Sequence, residues 1–216
     1  PRRVVVTGTS AERLERARKI FCGKKAQEAG VEVCIVATGD CATPAEAAER
    51  ILAANEGKGF DDVLVNAPVR MVVETASMIA GQGCCINFFA GPTDPKLSAT
   101  VNFYDVHYAG VHYVGTSGGS SLDMKEAIDM ISAGQADPAV MLTHVGGLNA
   151  AIPSLLELPH IPGGKKLIYN DIDLPLTAID EFKNMSGFEK LSAIIDEADG
   201  LWSPAAEEEL LRVLKK

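Results

Sequence analysis

Over roughly its first 130 residues the chain alternates β-branched apolar runs with segments of helical periodicity four times, and this alternation limits its fold more than any single motif. Arg3 to Thr7 (RVVVT) reads as a buried strand, because a run with no polar alternation suits a strand covered on both faces. Ser10 is placed to cap a helix carrying Leu14, Ala17, Arg18 and Phe21, which runs to Ala29 and is ended by Gly30. Val31 to Ala37 is a second strand, and Thr43-Pro44 opens a helix to about Asn55 with Pro at its first position. Asp62 to Asn66, Cys84 to Phe89 and Val111 to Val114 complete the strands, with helices at Val69 to Ala80 and Leu122 to Ala133. Such an order predicts a doubly wound parallel sheet with right-handed crossovers and helices on both faces, an α/β Rossmann-like fold. After Pro138 the regularity fails. Residues 1–134 are therefore read as one domain and residues 135–216 as a second, incomplete piece that ends in an acidic helix after Pro204.

Charge narrows the functions available. The net formal charge of the 216 residues is −9, and an acidic chain is poorly suited to the phosphate neutralisation that nucleic-acid binding requires. The basic side chains cluster early: Arg2, Arg3, Arg13, Arg16, Arg18, Lys19, Lys24 and Lys25 face only Glu12 and Glu15 within the first 25 residues. That cluster is either a solvated helix face or a local positive field that awaits an anion. No apolar run is long enough for a membrane-spanning helix. The five cysteines form no CxxC pair, and Cys34, Cys84 and Cys85 lie in strand-like runs as small hydrophobes, so a reduced cytoplasmic protein is expected. The chain shows no signal-peptide pattern and opens on Pro1-Arg2-Arg3 without Met, and it reads as a fragment.

In a doubly wound sheet, ligands bind beyond the carboxyl ends of the strands, so the loops there are the places to search. No GxGxxG fingerprint occurs, and a nucleotide-binding reading must place the first strand and its glycine turn upstream of Pro1. The tip of the first strand carries Gly8, Thr9 and Ser10, with Arg13 close by. An acidic residue at such a tip would favour a free ribose hydroxyl. A glycine flanked by hydroxyls and a guanidinium favours a 2′-phosphate, hence NADP over NAD. The Gly115 to Ser121 turn precedes a helix and either closes a tight connection or offers Thr116, Ser117 and Ser120 to a substrate phosphate. His107 and His112 are read on opposite faces of one strand, which disfavours joint metal ligation, and neither HExxH nor GxSxG is present. Asp61-Asp62 is read as a solvated strand start.

Several longer strings carry a family resemblance. NFFAGPTDP (Asn87 to Pro95), NFYDVHY (Asn102 to Tyr108), VGTSGG (Val114 to Gly119), THVGGL (Thr143 to Leu148), LPHIPGGKKLIY (Leu158 to Tyr169) and LPLTAIDEF (Leu174 to Phe182) resemble the L-sorbose 1-phosphate reductase family. That family falls within the medium-chain, zinc-type alcohol and polyol dehydrogenases. The resemblance implies a GroES-like catalytic domain with a zinc site, then a Rossmann domain, with a C-terminal segment that returns to the catalytic domain. It places Pro1 where the second Rossmann strand begins, so the zinc ligands and the phosphate-binding glycines are expected upstream, and no residue here is carried over as a metal ligand or catalytic group. It implies cofactor contacts from Gly8, from Asn66, Ala67 and Pro68 beside the adenine and ribose, and from Phe89, Ala90 and Gly91 near the nicotinamide. Arg70 and Lys96 join the Thr116 to Ser120 loop as candidates for a substrate phosphate.

The resemblance further implies hydride transfer between NAD(P)H and a sugar phosphate or polyol, zinc in the complete enzyme, and a homodimer through the edge of Val111 to Val114. The fragment alone is expected to be inactive. Two competing readings are a non-catalytic nucleotide- or sugar-phosphate-binding module and a purely structural domain.

Overall fold

The computed structural model of the protein describes residues 1–215 and divides into two compact units, Pro1–Gly119 and Ser120–Lys216. In the first unit the amino-terminal apolar run forms β1 (Arg3–Gly8) and leads into α1 (Ala11–Phe21) and α2 (Lys24–Glu28). The single helix expected to Ala29 is broken at Cys22-Gly23, where the Cys22 N–H closes the last turn on the Arg18 carbonyl. Then come β2 (Glu32–Ala37), α3 (Pro44–Ala53), β3 (Phe60–Val65), α4 (Arg70–Met78), β4 (Ala80–Phe88), α5 (Phe103–Tyr108) and β5 (His112–Gly115). Thr43 caps α3 through its side-chain oxygen, with Pro44 at the first turn, where a missing N–H costs nothing.

The expected parallel α/β architecture is present, in two parallel sheets. β1 pairs with β2, and β3, β4 and β5 pair in that order. One hydrophobic cluster spans the two sheets: Ala48, Ile51 and Ile79 pack against Val5 and Val36 of the first and Phe60 and Val63 of the second. A second cluster of Val65, Ala76, Cys84, Ile86 and Val111 fixes α4 on β3–β5. At the start of that sheet the backbones come unusually close, and a Cβ on Gly59 would sit 2.5 Å from the Gly81 Cα. β4 therefore begins at Ala80, earlier than its propensity suggests, because tight backbone contact recruits a glycine-rich stretch.

Two expectations about local structure need correction. His107 lies in α5 and only His112 is in a strand, because Asn102 caps a short helix by accepting the Tyr104 N–H on its side-chain oxygen. Asp61 and Asp62 lie within β3 and not at its start, although both are exposed. Of the cysteines read as buried, Cys84 is fully buried and its thiol is pushed up by desolvation, whereas Cys34 and Cys85 are only half-buried.

In the second unit α6 (Ser121–Ser132) precedes β6 (Leu142–Gly147) and α7 (Ala151–Glu157), and β6 pairs in parallel with β7 (Lys165–Tyr169) and antiparallel with β8 (Thr177–Ala178). Its boundary falls before α6, whereas the sequence reading places the division after residue 134. The core gathers Val145, Ile172, Leu174, Ile179, Phe182, Leu191, Trp202 and Leu210, with α8 (Glu189–Glu197) and α9 (Pro204–Leu214) packed around it. Glu209 of α9 is buried, at 4% exposure, because Arg212 donates to both carboxylate oxygens at 2.6 and 2.9 Å and Lys190 adds a third bond at 2.9 Å. Those bonds, Arg212 foremost, hold the Glu209 carboxyl at about 2 against an ordinary 4.5. A depressed carboxylate stabilises the fold fully above its unfolded value and loses that contribution as pH falls through the folded one. The melting temperature of the chain is therefore expected to fall between about pH 4.5 and 2. Glu209→Gln is expected to lower it by several degrees at neutral pH and to flatten that acid limb, as read by thermal melts across the range.

Candidate functional site

Three strand tips build the site. Arg3, at the amino end of β1, and Gly59, just before β3, both bond Asn55, which accepts from Arg3 Nη1 at 3.4 Å and donates to the Gly59 carbonyl at 3.2 Å. β1 and β3 therefore start from one side of the unit, and their carboxyl ends open on the other. At the first tip the Gly8 carbonyl accepts the Thr38 N–H at 2.9 Å, which fixes the turn beyond it. Ser10 Oγ accepts the Arg13 N–H at 3.3 Å and caps α1, so the serine is in its expected place and the Arg13 side chain stays exposed. Thr9 is exposed, and Gly39 presses against it so closely that a Cβ there would lie 2.8 Å from the Thr9 carbonyl oxygen. Gly39 escapes a motif search; the signal that could reveal it is a glycine two residues beyond the end of the second strand.

The tips of β3 and β4 are tied together. The Phe89 and Ala90 N–H groups both donate to the Val65 carbonyl, at 3.1 and 2.9 Å. Asn66, Ala67 and Pro68 are thereby brought beside Phe89, Ala90 and Gly91, the two groups that the family resemblance assigns to one ligand. Phe89 is 64% exposed, Ala90 is buried, and Gly91 has open space where a side chain would stand. A flat apolar ring with close backbone beside it suits a planar aromatic ligand. One polar atom in β4 is notable: Asn87 Oδ1 is buried without a hydrogen-bond partner among the described residues.

The candidate phosphate ligands divide. Arg70 donates its Nε to Glu74 Oε1 at 2.9 Å, and the same oxygen accepts the Thr100 N–H at 2.9 Å. These contacts, Thr100 first, hold the Glu74 carboxyl below its usual range and pin the 92–101 loop to α4. Arg70 therefore helps to anchor that loop. Lys96 lies in the same loop, where its N–H bonds Asp94 Oδ1 at 2.8 Å. The loop closes over a cavity of about 240 Å³ lined by Val73, Phe88, Pro92, Leu97 and Ala99, which is small for a substrate site. Thr116 and Ser117 are exposed just beyond β5, level with Phe89, since Phe88 pairs with Gly115. Ser120 belongs to the second unit. It forms a reciprocal capping box with Asp123, accepting the Asp123 N–H at 3.3 Å and donating its hydroxyl to Asp123 Oδ2 at 2.8 Å. The Ser120 N–H and hydroxyl hold the Asp123 carboxyl below its ordinary range, so a carboxylate already occupies that helix start.

Among the described residues no three His, Cys, Asp or Glu side chains gather closely enough to hold a metal ion, so the residues present do not fit the zinc that the resemblance implies. Among the described residues no helix is long and apolar enough to cross a membrane.

No family profile matches the chain. It is 44% identical over 215 residues to mannitol-1-phosphate 5-dehydrogenase of Aliivibrio fischeri, covering 98% of this chain and 50% of that protein. It is also 44% identical over 163 residues to L-sorbose 1-phosphate reductase of Klebsiella pneumoniae, covering 76% and 39%. Among solved structures, 2R,3R-butanediol dehydrogenase of Bacillus subtilis aligns with a TM-score of 0.55 at 17% identity, covering 79% of this chain and 44% of that one. An alcohol dehydrogenase of Escherichia coli in complex with NADH aligns at 0.54 and 15% identity, covering 77% and 43%. The chain spans about half the length of the curated relatives it matches. Over that half its sequence is similar to mannitol-1-phosphate 5-dehydrogenase and L-sorbose 1-phosphate reductase, and its fold is similar to part of the alcohol dehydrogenase structures.

Proposed function

We propose that this chain supplies the adenosine- and nicotinamide-facing loops of an oxidoreductase that transfers hydride between NAD(P)H and a sugar phosphate or polyol. The observation that carries the reading is the pair of hydrogen bonds that the Phe89 and Ala90 N–H groups donate to the Val65 carbonyl, which joins the two loops at the carboxyl edge of a parallel sheet. When bound, the dinucleotide supplies the hydride and the protein supplies orientation. Phe89 offers an exposed ring and Gly91 a close backbone for the nicotinamide, and the Asn66–Pro68 turn flanks the adenosine side. Thr9 and Arg13 receive a 2′-phosphate, which favours NADP. The sequence holds no GxGxxG turn for the pyrophosphate, so the 216-residue chain by itself is expected to bind the dinucleotide weakly and to show no turnover.

A fluorescence titration with NADPH and a reductase assay with a ketose phosphate test the reading in a form of the relatives' full length. NADPH-dependent reduction there supports it, and tight cofactor binding with no turnover on any ketose phosphate or polyol favours the non-catalytic binding module instead. In that longer form the two serines should behave differently. Ser117→Ala is expected to raise the substrate KM about tenfold, the worth of one hydrogen bond to a charged group. Ser120→Ala should leave KM unchanged and cost α6 about 1 kcal/mol of capping. A KM that moves with Ser120 would assign the phosphate to the helix start instead. The unpaired outer edge of β5, with all four residues exposed, supports the homodimer, which sedimentation velocity checks.

A further inference from the structure

The turn beyond β2 is held from behind by one side chain. Arg50, on the exposed side of α3, donates Nη1 to the Ala37 carbonyl at 2.8 Å. It also grips Asp40 with both arms of its fork, Nη1 to Oδ1 at 2.5 Å and Nη2 to Oδ2 at 3.2 Å. These bonds hold the Asp40 carboxyl below its ordinary range. The base of the grip is firm, because Ala48 and Ile51 of α3 are buried against Val5 and Val36 of the β1–β2 sheet. Thr38 to Cys41 form a tight turn, closed by the Cys41 N–H on the Thr38 carbonyl at 3.3 Å. Arg50 therefore holds the residue before that turn and the third residue within it, and Gly39 is fixed between the two.

Gly39 is where the turn meets the tip of β1. A Cβ there would stand 2.8 Å from the Thr9 carbonyl oxygen and 3.2 Å from the Thr9 Cα, so the Thr9 backbone rests directly on Gly39. Thr38 makes the same connection one residue earlier: its N–H donates to the Gly8 carbonyl at 2.9 Å and its hydroxyl to the same oxygen at 3.4 Å. Beyond Thr9 the chain is fixed again, where Ser10 caps α1. A surface ion pair such as Arg50–Asp40 contributes little to stability. Its consequence here is geometric, since groups that bind a ligand act well only when the residues behind them hold their place.

We propose that Arg50 is a positioning residue for the adenosine end of the cofactor, fixing through Asp40 and Gly39 the Thr9 turn where a 2′-phosphate is received. The inference rests on Thr9 and Arg13 forming that phosphate site. Competitive fluorescence titration of NADPH and NADH tests it in a form of the relatives' full length. Arg50→Lys keeps the charge and loses the planar fork. It is expected to lower the preference for NADPH over NADH about tenfold, the worth of one hydrogen bond to a charged group, with NADH affinity almost unchanged. Asp40→Ala separates geometry from charge. It removes a carboxylate from the neighbourhood, so a purely electrostatic role for the pair gives tighter NADPH binding, whereas positioning gives the same loss as Arg50→Lys. Amide exchange in the 216-residue chain reads the turn without any cofactor: the Thr38 amide should exchange about fivefold faster in both variants, while Ala48 and Ile51 keep their rates. Four results would overturn the proposal and leave the phosphate site standing: a Thr38 amide that keeps its rate, a parallel loss of NADPH and NADH affinity, an unchanged preference in both variants, or tighter NADPH binding by Asp40→Ala. An unsubstituted protein that binds NADH as tightly as NADPH would instead remove the phosphate site, and the proposal with it.

Discussion

Gly8→Asp is expected to weaken NADPH binding about 100-fold while leaving NADH binding equal or tighter, in a form of the protein long enough to hold the dinucleotide. Gly8 ends β1, where the chain turns into Thr9, the capping Ser10 and the exposed Arg13. A carboxylate about 5 Å from a 2′-phosphate, at an effective dielectric near 20, costs roughly 3 kcal/mol. That energy is about a hundredfold in affinity. The substitution is sterically modest, because the new Cβ would meet only the Leu14 side chain, at 3.1 Å from Cδ2 and 3.5 Å from Cγ, and the position needs no left-handed backbone. Gly8→Ala supplies the control for that contact: it should alter both cofactors alike, and by little. Arg13→Ala should reproduce the NADPH loss without the NADH gain, since it removes the attracting charge and adds no repelling one. Competitive fluorescence titration reads all three variants. Equal losses of NADPH and NADH in Gly8→Asp would remove Gly8 from the cofactor site, and tighter NADH binding by the unsubstituted protein would reverse the NADP preference.

The parts of this molecule legible in its sequence are those fixed by local chemistry. RVVVT, VCIVA and DVLVN form strands because β-branched runs bounded by turn residues have little alternative, and Thr43-Pro44 opens α3 because cap and fixed φ act together. FYDVHY is harder to read. Three aromatics and a valine in six residues favour a strand, yet the Asn102 cap and the bond of its side chain to Asp105 turn the segment into one short helix. The same propensity puts His107 in the wrong element. The break at Cys22-Gly23 is hidden because the apolar spacing before it continues plausibly to Ala29. At the site, the pairing of Asn66–Pro68 with Phe89–Gly91 comes from strand order once a parallel sheet is accepted. The role of Ser120 does not, since a serine before a helix reads equally as a phosphate ligand or as a cap. Asp123 three residues later decides for the cap.

Phe182→Ala is expected to cost the second unit about 3–5 kcal/mol, the range for truncating a buried aromatic ring. Phe182 is 1% exposed and sits in a 3₁₀ segment, Ile179–Asn184, that leads from β8 toward α8. Its ring centroid lies 5.3 Å from Phe188 and 6.3 Å from Trp202, both tilted, the offset geometry that aromatic quadrupoles favour. The truncation would open a cavity beneath Trp202, whose indole N–H donates to Tyr169 Oη at 3.1 Å while that hydroxyl donates to Glu207 at 2.6 Å. Burial first, and then the bond to Glu207, raise the Tyr169 phenol well above its ordinary value against a lowering bond from Trp202, so Phe182→Ala should also let that phenol titrate earlier. Phe182→Leu keeps most of the volume and should cost under about 1.5 kcal/mol. Each hydrophobic cluster is drawn from one unit alone, so the loss belongs to Leu191, Ile195 and Leu210 and not to Val65 or Ile86. Urea denaturation combined with residue-resolved amide exchange separates the two. A matching loss of protection at Val65 and Ile86 would mean that the units fold as one cooperative body, and a cost below about 1 kcal/mol would mean that Phe182 is not central to this core.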